Sequence, residues 1–131
     1  MVKKRITGMN MEKLQQLPII DWEEGTRLAG HKKELARDIL NMLVRDLPNE
    51  MRTMRQLHEE KNFAELVKSV HKLHGAVCYT GTPRLKTLLA ALETQLKTNI
   101  MDGSSSLLQQ LDTEVSYLLE HIAQQNTELN H

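Results

Sequence analysis

Aromatic residues are nearly missing from this chain: one Trp, two Tyr and one Phe among 131 residues. Strands and sandwich cores draw on aromatic and β-branched side chains, so this scarcity argues against a β fold. The core has to be aliphatic, drawn from Leu, Ile, Val and seven Met, and such residues suit packed helices. Cysteine is reduced to Cys78 alone, which excludes an internal disulfide and the small secreted scaffolds that depend on one. Neither sign of charge is in excess, since 17 Lys and Arg balance 17 Asp and Glu, so no global field favours nucleic acid or an anionic membrane. No apolar run approaches the roughly 18 residues of a bilayer span. Lys3-Lys4-Arg5 is not followed by an apolar stretch, so no signal peptide is expected and the expected location is cytoplasmic. A glycine-rich phosphate loop, a pair of acids and a Ser-His-Asp order are also lacking, and no independent kinase or ATPase activity is expected.

What remains is helical periodicity, enough for one domain and too short for two comfortable ones. Residues 1–20 show little pattern and read as a tail or linker, with a helical turn around Met11–Leu17. Asp21 and Glu24 form a candidate capping box for a short helix stopped by Gly30, and Trp22 is expected to close one end of the core. From Lys32, apolar residues recur at Leu35, Ile39, Met42, Leu43 and Leu47, and resume after Pro48 at Met51, Met54 and Leu57. No flexible residues flank Pro48, so one bent helix is expected, with the methionines filling the core. Asn62 and Glu65 offer a second capping box, leading into the stripe Phe63, Leu66, Val67, Val70, Leu73 and Val77. Gly81 ends that segment, and Thr82-Pro83 starts the next as cap and first helical residue, with Leu85, Leu88, Leu89, Leu92 and Leu96 inside. Residues 99–106 read as a loop, and a last helix is expected from about Leu107 to Gln125. The expected fold is all-α: an antiparallel up-down four-helix bundle over 21–125 with a short additional N-terminal helix, and a C-terminal tail over 126–131.

The segment after Asn62 carries the unusual residues: His71, His74, Gly75 and Cys78. At about 100° per residue, His71 falls roughly 110° from the centre of the apolar stripe and should be exposed, while His74 lies about 50° off, at its edge. Gly75, one turn beyond His71, costs a helix interior about 1 kcal/mol relative to Ala, which a gap beside the imidazole for something large would justify. Lys61, Lys68, Lys72, Arg84 and Lys86 face only Glu65 over that stretch, a local positive surface suited to an anionic group or an acidic partner. A neutral imidazole is nucleophilic without a dedicated base, and phosphoryl transfer asks little of the acceptor beyond access and orientation. Two other readings compete. His71, His74 and Cys78 could share a metal or haem, although no fourth ligand is evident; or the bundle could dock a partner without any chemistry.

His71-Lys72-Leu73-His74-Gly75-Ala76, followed by Gly81, resembles the His-x-Leu-Lys-Gly-Ser/Ala signature of bacterial histidine-phosphotransfer (HPt) domains. The similarity extends over about residues 20–125, including Asp21-Trp22, Pro48, Pro83-Arg84-Leu85 and Leu92-Glu93, and is nearest to the C-terminal HPt domains of tripartite hybrid sensor kinases of the BarA/GacS/LetS type. The resemblance implies that His71 is the phosphoacceptor, that Gly75 clears space beside it, and that Glu93 accepts the Nδ1 proton and leaves Nε2 as nucleophile. His74 departs from the family, which has a lysine there to hold the phosphate; Lys68 is the expected replacement, with Lys72 less well directed. The implied partners are the receiver domains of a hybrid kinase and of a response regulator, with Mg²⁺ bound by the receiver. No bound cofactor, no metal, no nucleic acid and no direct membrane contact are expected, the isolated domain is expected to be a monomer, and a parent protein would be an inner-membrane sensor kinase.

Overall fold

Pro48 does not divide the chain. In the computed structural model, which describes residues 11–98 and 103–129, it lies inside one continuous helix. The described elements are α1 (Met11–Gln16), α2 (Trp22–Leu28), α3 (Lys33–Glu59), α4 (Phe63–Val77), α5 (Pro83–Lys97) and α6 (Ser104–Leu129). Helices α3 to α6 make the bundle, each packed on the next and α6 returning to α3; α2 lies on α3 and α1 on α5. The α3–α4 corner spans only 60–62 and turns through Lys61 in a left-handed conformation, and the α4–α5 corner turns through Gly81. Connections this short make sequential helices antiparallel neighbours.

The centre is filled by Leu40, Leu47, Met51 and Met54 from α3, Leu66 and Val70 from α4, Leu88, Leu89 and Leu92 from α5, and Leu107, Leu111 and Leu118 from α6. The expected phase of α3 needs correcting. Its inward face is Ala36, Leu40, Leu43, Leu47, Met51 and Met54, whereas Leu35 and Met42 stay exposed. Apolar residues occupy two adjoining stripes of this helix, and only packing against the other helices chooses between them. Met51 and Met54 are core, as expected, and Met42 is surface.

Both proposed capping boxes are half formed. Asp21 accepts from the Glu24 amide at 3.0 Å and Asn62 from the Glu65 amide at 3.3 Å. The return bonds are replaced: Glu24 binds Arg27, Glu65 binds Lys68, and the Asp21 amide donates to the Gly81 carbonyl at 2.7 Å. Thr82 precedes α5 without capping it; its hydroxyl is buried against that of Thr80 at 2.7 Å. The Asp21–Gly81 bond pins α2 to the end of α4. There Gly81 has φ +64, and a Cβ on it would lie 2.6 Å from the Asp21 carbonyl oxygen and 2.9 Å from Gly25 Cα. Gly25 and Ala29 are the buried residues of this helix region, so Trp22 remains 37% exposed beside a cleft rather than closing the core.

Residues 11–20 are more than a tail. Leu14 is fully buried, Leu17, Ile19 and Ile20 pack on the core, and Arg84 donates to the backbone carbonyls of Leu17 at 2.8 Å and Gln15 at 3.1 Å. The last helix begins at Ser104, three residues before the expected start, and continues to Leu129, beyond the expected end. Of the expected loop, 99–102 lie outside the described residues, as do 1–10 and 130–131.

Candidate functional site

Helix α4 buries Leu66, Val70, Leu73 and Val77, and that phase fixes where its histidines go. His71 projects to solvent with 71% of its side chain exposed, and His74 sits at the boundary with 24%. Across the α4–α5 seam stands Glu93, whose carboxyl group is the centre of the site. Although charged, it is only 7% exposed, between Leu92 and Leu96 on the inward side of α5.

Three donors converge on it. His71 Nδ1 lies 2.5 Å from Oε2, His74 Nδ1 lies 2.9 Å from Oε1, and Lys97 Nζ lies 2.8 Å from Oε2. Burial alone would push the Glu93 carboxyl up; hydrogen bonds from Lys97, His74 and His71, with the Lys97 charge, more than offset it and hold the pKa at about 2. The group is therefore an anion throughout the neutral range. An ionised carboxylate only accepts, so both imidazoles must present Nδ1–H to it. In the neutral ring this leaves Nε2 of His71 with its lone pair, and among the described residues that nitrogen has no hydrogen-bond partner. The carboxylate thus sets the tautomer and orients the ring.

The space next to His71 is empty. A Cβ built on Gly75 meets no atom within 4 Å, and the residue lies on the exposed face of α4 with no left-handed backbone. Neither packing nor conformation requires glycine there. The intramolecular cost of a mid-helix glycine has no intramolecular return.

The expected cations are placed differently. Lys68 donates to Glu65 at 3.1 Å, one turn back along its own helix, and both side chains are exposed. Lys72 lines a groove of about 300 Å³ with Ile39, Met42, Asp46, Glu50 and Ala76, consistent with its expected direction away from His71. Arg84 is 15% exposed and turned toward α1 and Glu114, so it contributes nothing to a positive surface around His71, and Asp46 and Glu50 face Lys72. The cation at the site is Lys97, which the sequence reading missed. Its signal was available: Glu93 and Lys97 stand at i and i+4, with the acid N-terminal, the favourable order on a helix.

Cys78 is half-buried at the end of α4, and among the described residues no group of three His, Cys, Asp or Glu side chains is placed to hold a metal ion. Among the described residues, too, no helix is long and apolar enough to cross a membrane.

The bundle thus holds one solvent-facing imidazole, that of His71, with its Nδ1 tied to a buried carboxylate. Residues 38–121 match the model of the Hpt domain, and the chain belongs to that family. It is 39% identical over 95 residues to the signal transduction histidine-protein kinase BarA of Escherichia coli K12, covering 71% of this chain and 10% of that protein. It is 38% identical over 81 residues to the sensor protein GacS of Pseudomonas syringae pv. syringae, covering 62% of this chain and 9% of that protein. The chain therefore spans about a tenth of the length of these curated relatives. The crystal structure of the HPt domain of a hybrid histidine kinase from Shewanella superposes with a TM-score of 0.76 at 27% identity, covering 86% of this chain and 97% of that one. The HPt resemblance of the His71–Gly81 stretch thereby holds over residues 38–121.

Proposed function

We propose that the domain is a phosphorelay intermediate: His71 accepts a phosphoryl group from the phospho-aspartate of a receiver domain and passes it to the aspartate of a response regulator. The observation that carries this reading is the pairing of a free, solvent-facing Nε2 with a Nδ1 held by Glu93, beside an open position at Gly75. In the forward step the Nε2 lone pair attacks phosphorus in line with the aspartyl oxygen. The N–P bond forms as the O–P bond of the mixed anhydride breaks, and the bonding pair leaves on the aspartate carboxylate. The ring keeps its Nδ1–H and gains positive charge, which the Glu93 carboxylate faces at 2.5 Å. Transfer onward is the reverse, with a second aspartate as nucleophile. Mg²⁺ belongs to the receiver in this scheme, where it offsets charge on the phosphoryl oxygens.

The receiver's contact area would extend from His71 over the α3–α4 groove, where Met42 is exposed and Ile39, Lys72 and Ala76 line the floor. A phospho-aspartate donor made by a kinase places this domain on the cytoplasmic side. The test is phosphorylation by a radiolabelled, phosphorylated receiver domain of the parent kinase. Wild type and His74→Gln should acquire label that is stable in base and lost in acid, and His71→Gln should acquire none. Label on His71→Gln, or none on the wild type while the receiver loses its own to a second regulator, would overturn the assignment.

A further inference from the structure

The family signature supplies a lysine one turn after the phosphoacceptor, and this chain has His74 there instead. His74 cannot replace that lysine by direct contact in the geometry observed, because its Nδ1 is committed to Glu93 Oε1 and only 24% of the side chain is exposed. Lys68 pairs with Glu65 at 3.1 Å, one turn back along α4, and shares no partner with His71. Lys97 is different. Its Nζ shares Glu93 Oε2 with His71 Nδ1, and its side chain is 58% exposed. It is the one cation among the described residues that shares a hydrogen-bond acceptor with His71.

Could Lys97 leave Glu93? A buried carboxylate that loses its only partner is costly, on the order of several kcal/mol. Here it would lose one of three. With Lys97 withdrawn, Oε1 still accepts from His74 and Oε2 still accepts from His71. The carboxylate remains satisfied at both oxygens, so the lysine is releasable. A phosphoryl group on His71 Nε2 carries up to two negative charges in open solvent, and it competes for the ammonium with a single, already hydrogen-bonded carboxylate.

Resting on the phosphorelay reading above, we infer that Lys97 is the cation that binds the phosphoryl group on His71, moving to it from Glu93, and that His74 is the positioning residue that makes the move possible by holding Glu93 in its place. The lysine function of the family signature is thus divided here: the charge comes from α5, and the residue at position 74 acts through the carboxylate rather than on the phosphate.

The experiment uses the 131-residue chain and phosphoramidate, a small donor that needs no receiver: His71 Nε2 attacks its phosphorus, the P–N bond breaks, and ammonia leaves with the bonding pair. The phosphohistidine is followed by ³¹P NMR, with His71→Gln identifying its signal, and is titrated through its second ionisation. A cation on the phosphoryl group favours the dianion. Lys97→Gln should therefore move the titration to higher pH and hasten loss of the phosphate by up to about fivefold, the range of an exposed ion pair. Lys97→Arg should restore both. His74→Leu, which removes the donor to Glu93 Oε1, should move the titration in the same direction, because Lys97 is then retained by Glu93. If Lys97→Gln titrates as wild type, or Lys68→Gln shifts the curve and Lys97→Gln does not, the phosphoryl group is held from α4 and the inference is wrong. If His71 takes no phosphate at all in the wild type, it is the phosphorelay reading that has failed.

Discussion

Gly75 gives the sharpest test of whether the site is built for a large partner. The position is exposed, helical and free of neighbours within 4 Å of a built Cβ, so an alanine there meets nothing. Removing a mid-helix glycine should stabilise the folded state by about 1 kcal/mol, or about 3–5 °C in melting temperature for a chain of this size. Function should move the other way. Positions four apart on a helix have Cβ atoms about 6 Å from each other, so a side chain at 75 stands beside the imidazole on the face a receiver must approach. In-line attack needs the reacting atoms about 3–3.5 Å apart, and a displacement of about 1 Å costs on the order of 100-fold. Gly75→Ala, one methyl, should slow transfer from a phosphorylated receiver several-fold; Gly75→Leu should slow it by about 100-fold or more. Phosphoramidate, being small, should still label both variants at close to the wild-type rate. Circular dichroism melts and receiver-transfer kinetics on the same samples supply the two readouts. A Gly75→Leu variant that transfers from the receiver as fast as wild type would refute the reasoning, and a destabilised Gly75→Ala would show the glycine to be structural after all.

Other sites give narrower expectations. Gly81→Ala combines φ +64 with a Cβ placed 2.6 Å from the Asp21 carbonyl oxygen, so it should cost about 1–3 kcal/mol in urea unfolding and loosen α2 first. Arg84→Ala should cost more, about 3–5 kcal/mol, because it strands the Glu114 carboxylate, 3% exposed, and frees the Leu17 and Gln15 carbonyls; hydrogen exchange over 11–20 should rise with it. Glu93 is held at about 2 against an ordinary 4.5, so its contribution to stability is complete above pH 4.5 and is lost as pH falls toward 2. The stability difference between wild type and Glu93→Gln, measured by urea unfolding from pH 6 to pH 2.5, should therefore shrink across that window; a difference that grew on acidification would contradict the assigned hydrogen bonds.

Much of this architecture is legible in the sequence, and the exceptions share a cause. The stripe of α4 is unambiguous at the site because Val70 and Leu73 are flanked only by Ser69, His71, Lys72 and His74, and that stripe turns His71 outward and His74 to the edge. The stripe of α3 is not, because Leu35, Ile39 and Met42 adjoin Ala36, Leu40 and Leu43, and helix periodicity cannot rank two neighbouring faces. Capping boxes fail in the same way. The Asp21 amide is taken by Gly81, 60 positions along the chain, a competitor that no local pattern contains. At the site, Glu93 is legible as a partner of His71 through the family resemblance, while its burial and its bond to His74 depend on how closely α4 and α5 approach. Lys97 stood in plain view as an i+4 partner of Glu93. It is not legible from α4, because it reaches the site through the helix of the carboxylate rather than that of the histidine.

The donor set explains why a carboxylate, and not an amide, suits position 93. Three groups point at its two oxygens, and in the arrangement observed all three donate: two imidazole Nδ1–H groups and an ammonium. An amide offers a single acceptor oxygen, and its NH₂ would face one of those donors. Exchanging lysine for histidine at position 74 does not relieve this, since His74 donates as well. What the exchange changes is permanent charge: with no lysine at 74, Lys97 is the one lysine or arginine among the described residues paired with Glu93, and it is the most exposed of the carboxylate's partners but one, after His71 itself. The partners can be ordered by how freely each can move. His74 is the least exposed; in the proposed reaction His71 would have to stay bound to the carboxylate to keep its tautomer, and Lys97 would change partner without disturbing either. In the proposed relay the nucleophile would stay oriented in both states, because the one contact proposed to move is not the one that orients it.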